Sequence, residues 1–325
     1  MAITSEEIKK ISERVITERK GISREEAELL MNYPDLDFLC DEADKITRAL
    51  QPKEVDSCSI VNARSGLCGE DCKWCAQSRH YSTGCESYEF LPYEDTLRAA
   101  RHNEKEGIRR FSLVTSGRNL SEKSLEEFCR QYRRLSAETD LYLCASMGLL
   151  SRSQMQALKD AGVKRYHCNM ETSRKVFKRL CTTHSPEDKL LTISHARDLG
   201  MDICSGGIIG MGETNSDRLD FAFELAELNP DSVPINILNP IPGTPLESTP
   251  LISEEEIIRT AAIFRFILPC QSIRFAGGRM RLSDESMRRM MRGGVNGVLM
   301  GDMLTTVSNQ IADDRKLFAD SGWIF

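Results

Sequence analysis

Long apolar runs are missing from this sequence. The short ones that occur are interrupted by charge, which excludes a membrane-spanning helix. A basic excess is missing too. Forty-three lysines and arginines face 49 aspartates and glutamates, the formal net charge is −6, and no basic stripe stands out. Nucleic acid is therefore not the expected partner. The opening MAITSEEIKKISERV is charged and lacks the apolar stretch of a signal peptide, so the expected location is cytoplasmic. There is no low-complexity tract, long linker or short-period repeat, and the five histidines show no metal spacing. What remains reads as an ordinary globular chain. Its 325 residues, 40% of them hydrophobic, suffice for one large domain or two ordinary ones.

One residue type is in excess. The chain has twelve cysteines. In a reducing cytosol these read as metal ligands, catalytic thiols or small buried apolar residues, and twelve exceed what packing needs. Cys68, Cys72 and Cys75 crowd into GLCGEDCKWCAQSRHY with the spacing C-x₃-C-x₂-C. Three thiolates on a tight loop can hold three corners of a cubane iron–sulfur cluster and leave the fourth iron open to a small molecule. Zinc is the competing reading. A structural zinc needs four closed ligands, so the fourth would come from elsewhere, with His80 as the candidate.

Residues 1–50 predict helices. TSEEIKKISERVITERKG opens on Thr, Ser and acids, SREEAELLMN repeats the capping pattern at Ser23 and stops before Pro34, and a third helix follows from about Asp35 to Leu50. After that, short β-branched or apolar runs alternate with amphipathic helical segments. The runs at 58–62, 109–115, 141–147, 164–170, 202–207, 231–237, 271–276 and 296–301 predict eight strands. Parallel strands need crossover helices. The pattern predicts an α/β fold, a TIM-type (β/α)8 barrel over 51–325 with an N-terminal helical extension over 1–50. A doubly wound open sheet fits the alternation almost as well.

In a barrel, chemistry sits at the C-terminal ends of the strands. Cys144, Cys168 and Cys204 fall there on predicted strands 3, 4 and 5, and Asn236 and Arg274 take similar places on strands 6 and 7. The three-cysteine loop opens at the same end. Cys58 and Cys270 fall at strand starts, the end that serves stability, and read as structural. Cys40 and Cys129 sit in helical patterns and read as packing residues, and His184 and His195 as surface helix residues. GGIIGMGE lacks the Lys-Ser/Thr of a phosphate loop and reads as a tight turn with backbone close to a ligand.

C-x₃-C-x₂-C is also the signature of radical S-adenosylmethionine (SAM) enzymes, and the chain resembles the biotin synthase family well beyond that loop. EDCKWCAQSRHY followed by STG, then CSGGIIGMGET, DSVPINILNPIPGTPLE, IRFAGGR and MLTT occur in that family's order. The resemblance implies a radical SAM sulfurtransferase that inserts sulfur into dethiobiotin to form biotin, on a full barrel with a C-terminal cap, usually as a homodimer. It implies a 4Fe-4S cluster on Cys68, Cys72 and Cys75 that binds SAM, with an electron donor such as flavodoxin or ferredoxin. It also implies an auxiliary iron–sulfur cluster that gives up the sulfur. Carried over by position, Trp74 packs beside adenine and Asn169 lies between ribose and substrate. Glu171 replaces the family's Asp at the ribose hydroxyls, and Lys189 replaces an Arg near SAM's carboxylate. Asn236, Thr305 and Thr306 match contacts to dethiobiotin. A relative of the hydrogenase-maturation type is the alternative within this chemistry, and a zinc-binding scaffold the alternative outside it.

The auxiliary cluster is where the chain departs from the resemblance. The family uses three cysteines and one arginine. Cys144, Cys204 and Arg274 match, Ser112 replaces the cysteine on strand 2, and Cys168 appears on strand 4. The expectation is a moved ligand: a 2Fe-2S cluster or a four-iron type held by Cys144, Cys168 and Cys204, with Arg274 nearby. Cys181 and Cys85 are further candidate ligands.

Overall fold

The computed structural model describes residues 3–301 and 311–325. Three helices lead the chain: α1 (Ser5–Glu18), α2 (Arg24–Met31) and α3 (Leu36–Leu50). Each starts where a side chain satisfies a free backbone N–H. Thr4 and Ser23 accept from the amides of Glu7 and Glu26, whose carboxylates accept in return from the cap amides, and Asp35 accepts from the Phe38 amide. Their buried faces, with Ile8, Leu30, Leu39 and Ile46, join the same core as the barrel residues Phe111, Ile258 and Val298.

The strands are β1 (Asp56–Arg64), β2 (Arg110–Thr115), β3 (Tyr142–Ser146), β4 (Arg165–His167), β5 (Asp202–Cys204), β6 (Gly207–Ile209), β7 (Ser232–Ile237), β8 (Ser272–Phe275) and β9 (Gly297–Met300). All pairs between neighbouring strands are parallel; β1 pairs with both β2 and β9, and β5 pairs with both β4 and β7, so the sheet closes on itself. The open-sheet alternative is excluded by that closure. β5 and β6 are halves of one stave, interrupted at Ser205 and Gly206, and both pair with β7. Eight staves result, one for each predicted run. The helices that follow the strands are α4 (Tyr93–Lys105), α5 (Glu122–Glu138), α6 (Arg152–Asp160), α7 (Arg174–Leu180), α8 (Pro186–Asp198), α9 (Asn215–Leu228), α10 (Glu254–Ile267), α11 (Asp284–Met291) and α12 (Ile311–Asp320). α10 is buried along most of its length because the N-terminal helices cover it. No helix among the described residues is long and apolar enough to cross a membrane.

The break between β5 and β6 requires its two glycines. A Cβ on Gly206 would lie 2.1 Å from the Pro234 carbonyl oxygen, and one on Gly207 would lie 2.2 Å from that of Glu171. The close approach is therefore to neighbouring backbone, where the sequence reading expected a ligand. It lets Glu171 exchange hydrogen bonds with this stave, its N–H donating to the Gly206 carbonyl (3.0 Å) and its carbonyl accepting from Ile208 (2.8 Å).

Candidate active site

The chain leaves β1 through Gly66 (φ 71°) and Leu67 (φ 51°), both left-handed, and turns across the barrel mouth. The cysteine loop is then laced to itself. Cys68 N–H donates to the Gln77 carbonyl at 2.9 Å, Arg79 N–H to that of Cys68 at 2.8 Å, and Cys75 N–H to that of Cys72 at 3.0 Å. Asp71 fastens it to the segment between α7 and α8, accepting from the amides of Thr182 (2.8 Å) and Thr183 (3.2 Å). Burial opposes ionisation of Asp71, but these donors hold it well below the usual carboxylate range.

Cys68, Cys72 and Cys75 line a cavity of about 200 Å³ with Trp74, Asn169, Glu171 and Lys189. Burial pushes Cys75 up to about 11, and a contact with Cys181, then burial, pushes Cys72 up as well. Crowded, partly buried thiols of this kind ionise readily beside strong positive charge, which is what cluster iron provides. The donor set fits the open-cornered cluster. His80 does not complete a closed zinc site with these three thiols, because it is exposed and its ring lies 3.0 Å from the Gly69 carbonyl; the ligand atoms of Cys72, Cys181 and His184, by contrast, lie within 4.8 Å of one another. Cys181 Sγ lies 3.7 Å from Cys72 Sγ and 3.2 Å from His184 Nδ1. The His184 side chain is only 6% exposed, edge-on to Phe177 and 2.5 Å from the Glu70 carboxylate, which corrects its reading as a surface residue. Cys85 is turned away from both sites, with its sulfur 3.6 Å from Ser65 Oγ.

Glu171 has φ 73°, a strained conformation for a residue other than glycine. Its carboxylate accepts from Asn169 Nδ2 at 3.3 Å, and Asn169 Oδ1 accepts from the Gly206 amide at 3.0 Å. Lys189 is buried with its ammonium 5.5 Å from the centre of the Phe177 ring. Trp74 stands edge-on to Phe177, their centroids 6.1 Å apart.

A second chamber of about 280 Å³ lies deeper in the barrel and shares Trp74, His167, Asn169 and Glu171 with the first. Its wall includes Cys58, Cys144, Cys204, Arg165, Arg274, Ser112 and Asn236. Arg274 Nη2 donates to Asp56 Oδ2 at 2.6 Å, Arg165 Nη2 to Asp202 Oδ2 at 3.0 Å, and Arg110 also pairs with Asp56. Three guanidiniums thus meet two carboxylates. Arg165 Nε and Nη1 and Arg274 Nε are buried and have no hydrogen-bond partner. Such atoms are costly unless something negative lies against them. Burial raises Cys204, but His167 Nδ1, 3.3 Å away, and the two arginines outweigh it and bring the thiol down to about 6. The residues present therefore fit an anionic iron–sulfur cluster.

Asn236 uses both ends of its amide on backbone: Nδ2 donates to the Gly207 carbonyl at 2.9 Å and Oδ1 accepts from the Gly277 amide at 2.8 Å. Thr305 and Thr306 lie outside the described residues. Cys168 does not reach the second chamber. Side chains alternate along β4, so Arg165 and His167 point inward, while Tyr166 and Cys168 have the opposite parity. Cys168 lines the first cavity, where Lys189 and Glu171 are its charged neighbours. Cys58, expected to be structural, is in the chamber. β1 begins at Asp56, two residues before the predicted start, so Cys58 lies inside the strand with Ile60 on its inward side. Arg165 and His167 were also missed. The polar–apolar alternation of Arg-Tyr-His in KRYHCNM was their available signal.

Residues 64–225 match the Radical SAM superfamily, and residues 234–324 match the Biotin and Thiamin Synthesis associated domain. The chain is 47% identical over 308 residues to the biotin synthase of Parabacteroides distasonis, covering 95% of this chain and 94% of that one. It is 49% identical over 299 residues to that of Porphyromonas gingivalis, covering 92% and 91%. Among solved structures, the FeFe-hydrogenase maturase of Carboxydothermus hydrogenoformans superposes with a TM-score of 0.80 at 18% identity, covering 98% of this chain and 79% of that one. Methylornithine synthase superposes at 0.78 and 18%, covering 94% and 95%. At those identities the structural neighbours speak for the fold alone. The relatives that are nearly half identical along almost the whole length settle the family: the chain belongs to the biotin synthase family of radical SAM enzymes.

Proposed function

We propose that this enzyme converts dethiobiotin to biotin by radical sulfur insertion, with SAM in the outer cavity and the sulfur source in the inner chamber. The observation that carries this reading is the pair of adjoining cavities, one lined by the C-x₃-C-x₂-C thiols and the other by three buried thiols and two guanidiniums. When bound, the SAM-chelating 4Fe-4S cluster supplies a 5′-deoxyadenosyl radical able to take hydrogen from an unactivated carbon, and the auxiliary cluster supplies sulfur. The protein's own part is positioning. Asp71 and its threonine donors hold the cysteine loop across the mouth. Glu171 and Lys189 present a carboxylate and an ammonium to the ribose and carboxylate of SAM, and Trp74 and Asn169 stand where the two cavities meet. Asn236 braces β6 against the turn after β8 and so fixes the wall that dethiobiotin would touch.

The radical chemistry needs a one-electron reductant, for which a flavodoxin or ferredoxin is suited. The cytoplasmic location and the division into a helical extension (1–50) and a barrel (51–325) are carried over from the sequence pattern, and the homodimer from the resemblance. The hydrogenase-maturation reading loses ground because its likeness lies at 18% identity, against 47% for biotin synthase. The test is anaerobic turnover of reconstituted enzyme with SAM, a reductant and dethiobiotin, followed by mass spectrometry. Biotin and 5′-deoxyadenosine are expected. 5′-Deoxyadenosine without biotin or a thiolated intermediate would overturn the substrate assignment. Cys72→Ala should stop SAM cleavage, whereas Cys204→Ala should keep it and lose biotin.

A further inference from the structure

We infer that Cys58 on β1, and not Cys168, is the third cysteine ligand of the group in the inner chamber, alongside Cys144 and Cys204. This rests on the two-cluster reading above and extends it to a ligand set particular to this chain.

The argument begins with barrel geometry. The inward side chains of an eight-stave barrel stack in layers, and each layer draws its four members from alternate staves. Cys58, Cys144, Cys204 and Arg274 belong to β1, β3, the β5/β6 stave and β8. Counting round the closed sheet, these are staves one, three, five and seven. They form a set of alternate staves, and all four line the same chamber. Cys58 and Cys144 act on each other's ionisation, and Cys204 acts electrostatically on both. The three sulfurs are otherwise uncommitted within the protein. Cys58 and Cys144 make only long contacts to carbonyls of their own strand, at 3.7 and 3.8 Å, and Cys204 meets His167.

Ser112 is on β2, an even stave, and its buried hydroxyl has no partner. A thiolate is the ligand that iron–sulfur clusters use, so a serine there leaves the set one short unless another stave supplies the sulfur. Cys58 supplies it from the neighbouring stave. Cys168 cannot do so without reversing the parity of β4, which would expel Arg165 and His167 from the chamber and bury Tyr166 there. The charge balance agrees. Three thiolates bring negative charge against Arg274 Nε and Arg165 Nε and Nη1, guanidinium nitrogens of the chamber wall that make no hydrogen bond. Arg165 thereby joins Arg274 as a second cation facing the group.

The test removes the outer cluster so that iron reports on the inner one. In the full-length Cys68→Ser, Cys72→Ser, Cys75→Ser chain, iron and acid-labile sulfide are counted after anaerobic reconstitution, and Mössbauer spectra are recorded. The expected result is one cluster's iron in this background, loss of most of it on adding Cys58→Ser or Cys144→Ser, and full retention with Cys168→Ser. Iron retained in Cys58→Ser would overturn the assignment. So would a loss in Cys168→Ser as large as that in Cys144→Ser, a result that stands even if Cys58→Ser fails to fold. No iron in the background chain would sink the two-cluster reading itself, and the assignment with it.

Discussion

Asp56 neutralises the barrel floor, and Asp56→Asn exposes how much that is worth. Its carboxylate accepts from Arg274 at 2.6 Å and from Ser272 Oγ at 2.9 Å, pairs with Arg110, and lies 3.9 Å from Arg165 Nη1. With asparagine there, three guanidiniums keep only Asp202 as a carboxylate partner, and that side chain is 40% exposed. Removing one partner of a buried ion pair costs about 3–5 kcal/mol. The lower end applies here, because asparagine keeps one acceptor oxygen and the Arg110 side chain is 20% exposed and can turn to water. With about 2.1 cal/mol/K of unfolding entropy per residue over 325 residues, a loss of about 3 kcal/mol lowers the melting temperature by about 4 °C. The assay is calorimetric or circular-dichroism melting of the cluster-free variant against cluster-free wild type. A drop below about 1.5 °C, under about 1 kcal/mol on the same scale, would refute the claim that this carboxylate carries the floor's charge. A second measurement tests the anionic chamber. If a negative group occupies it, reconstitution replaces part of the lost negative charge, and the gap between variant and wild type should narrow. A wider gap after reconstitution would contradict that reading.

Three further outcomes follow from local geometry. Gly207→Ala puts a Cβ 2.2 Å from the Glu171 carbonyl oxygen and 2.6 Å from Phe221, so it should displace Glu171 and weaken SAM binding at least tenfold, roughly the 1.4 kcal/mol that one lost charge-assisted hydrogen bond is worth; unchanged affinity by calorimetry would count against Glu171 as a SAM ligand. Asp71→Ala unfastens the cysteine loop from Thr182 and Thr183, and iron loss to a chelator should speed up, whereas an unchanged rate would show the tether to be idle. A hydrogen bond from Lys175 at 2.8 Å lowers Asp217 to about 2, a folded value below that of the unfolded chain. Its stabilisation is therefore full above about pH 4 and is lost as pH falls towards 2, so Asp217→Asn should melt below wild type at pH 5 and converge with it at pH 2. A difference that stays constant across that range would remove Asp217 as the acid-sensitive group.

Much of the fold was legible because its signals are local. Thr4, Ser23 and their glutamates mark helix starts through bonds made within one turn, and the structure makes those bonds. The alternation of apolar runs with amphipathic helices was enough to count eight staves. Closure was not legible. The pairing of β1 with β9 joins residues 56–59 to 297–300, and nothing local distinguishes that from an open edge. The interruption of the fifth stave was hidden for a similar reason, since Gly206 and Gly207 are required by the carbonyls of Pro234 and Glu171, far away in sequence.

The cysteine loop could be read because its ligands share one turn of chain, where spacing is geometry. The inner chamber could not be read in that way, because its thiols come from separate staves and are related only by register and parity. A strand start misplaced by two residues moved Cys58 from the interior of β1 to its edge, and with it from the chamber to the stability end. Counting position along β4 without parity had the opposite effect on Cys168, which lies at the correct height and on the wrong side. The sequence did contain the remedy. Ile60 is inward, so Cys58 must be too, and Arg165 and His167 cannot both be buried polar residues without sharing one face. On the assignment proposed above, a chain with serine at 112 and cysteine at 58 keeps three sulfurs and moves the set onto alternate staves, where Cys58, Cys144, Cys204 and Arg274 share one layer. The exchange is comprehensible only as a property of the layer, because no single strand contains both the loss and the compensation.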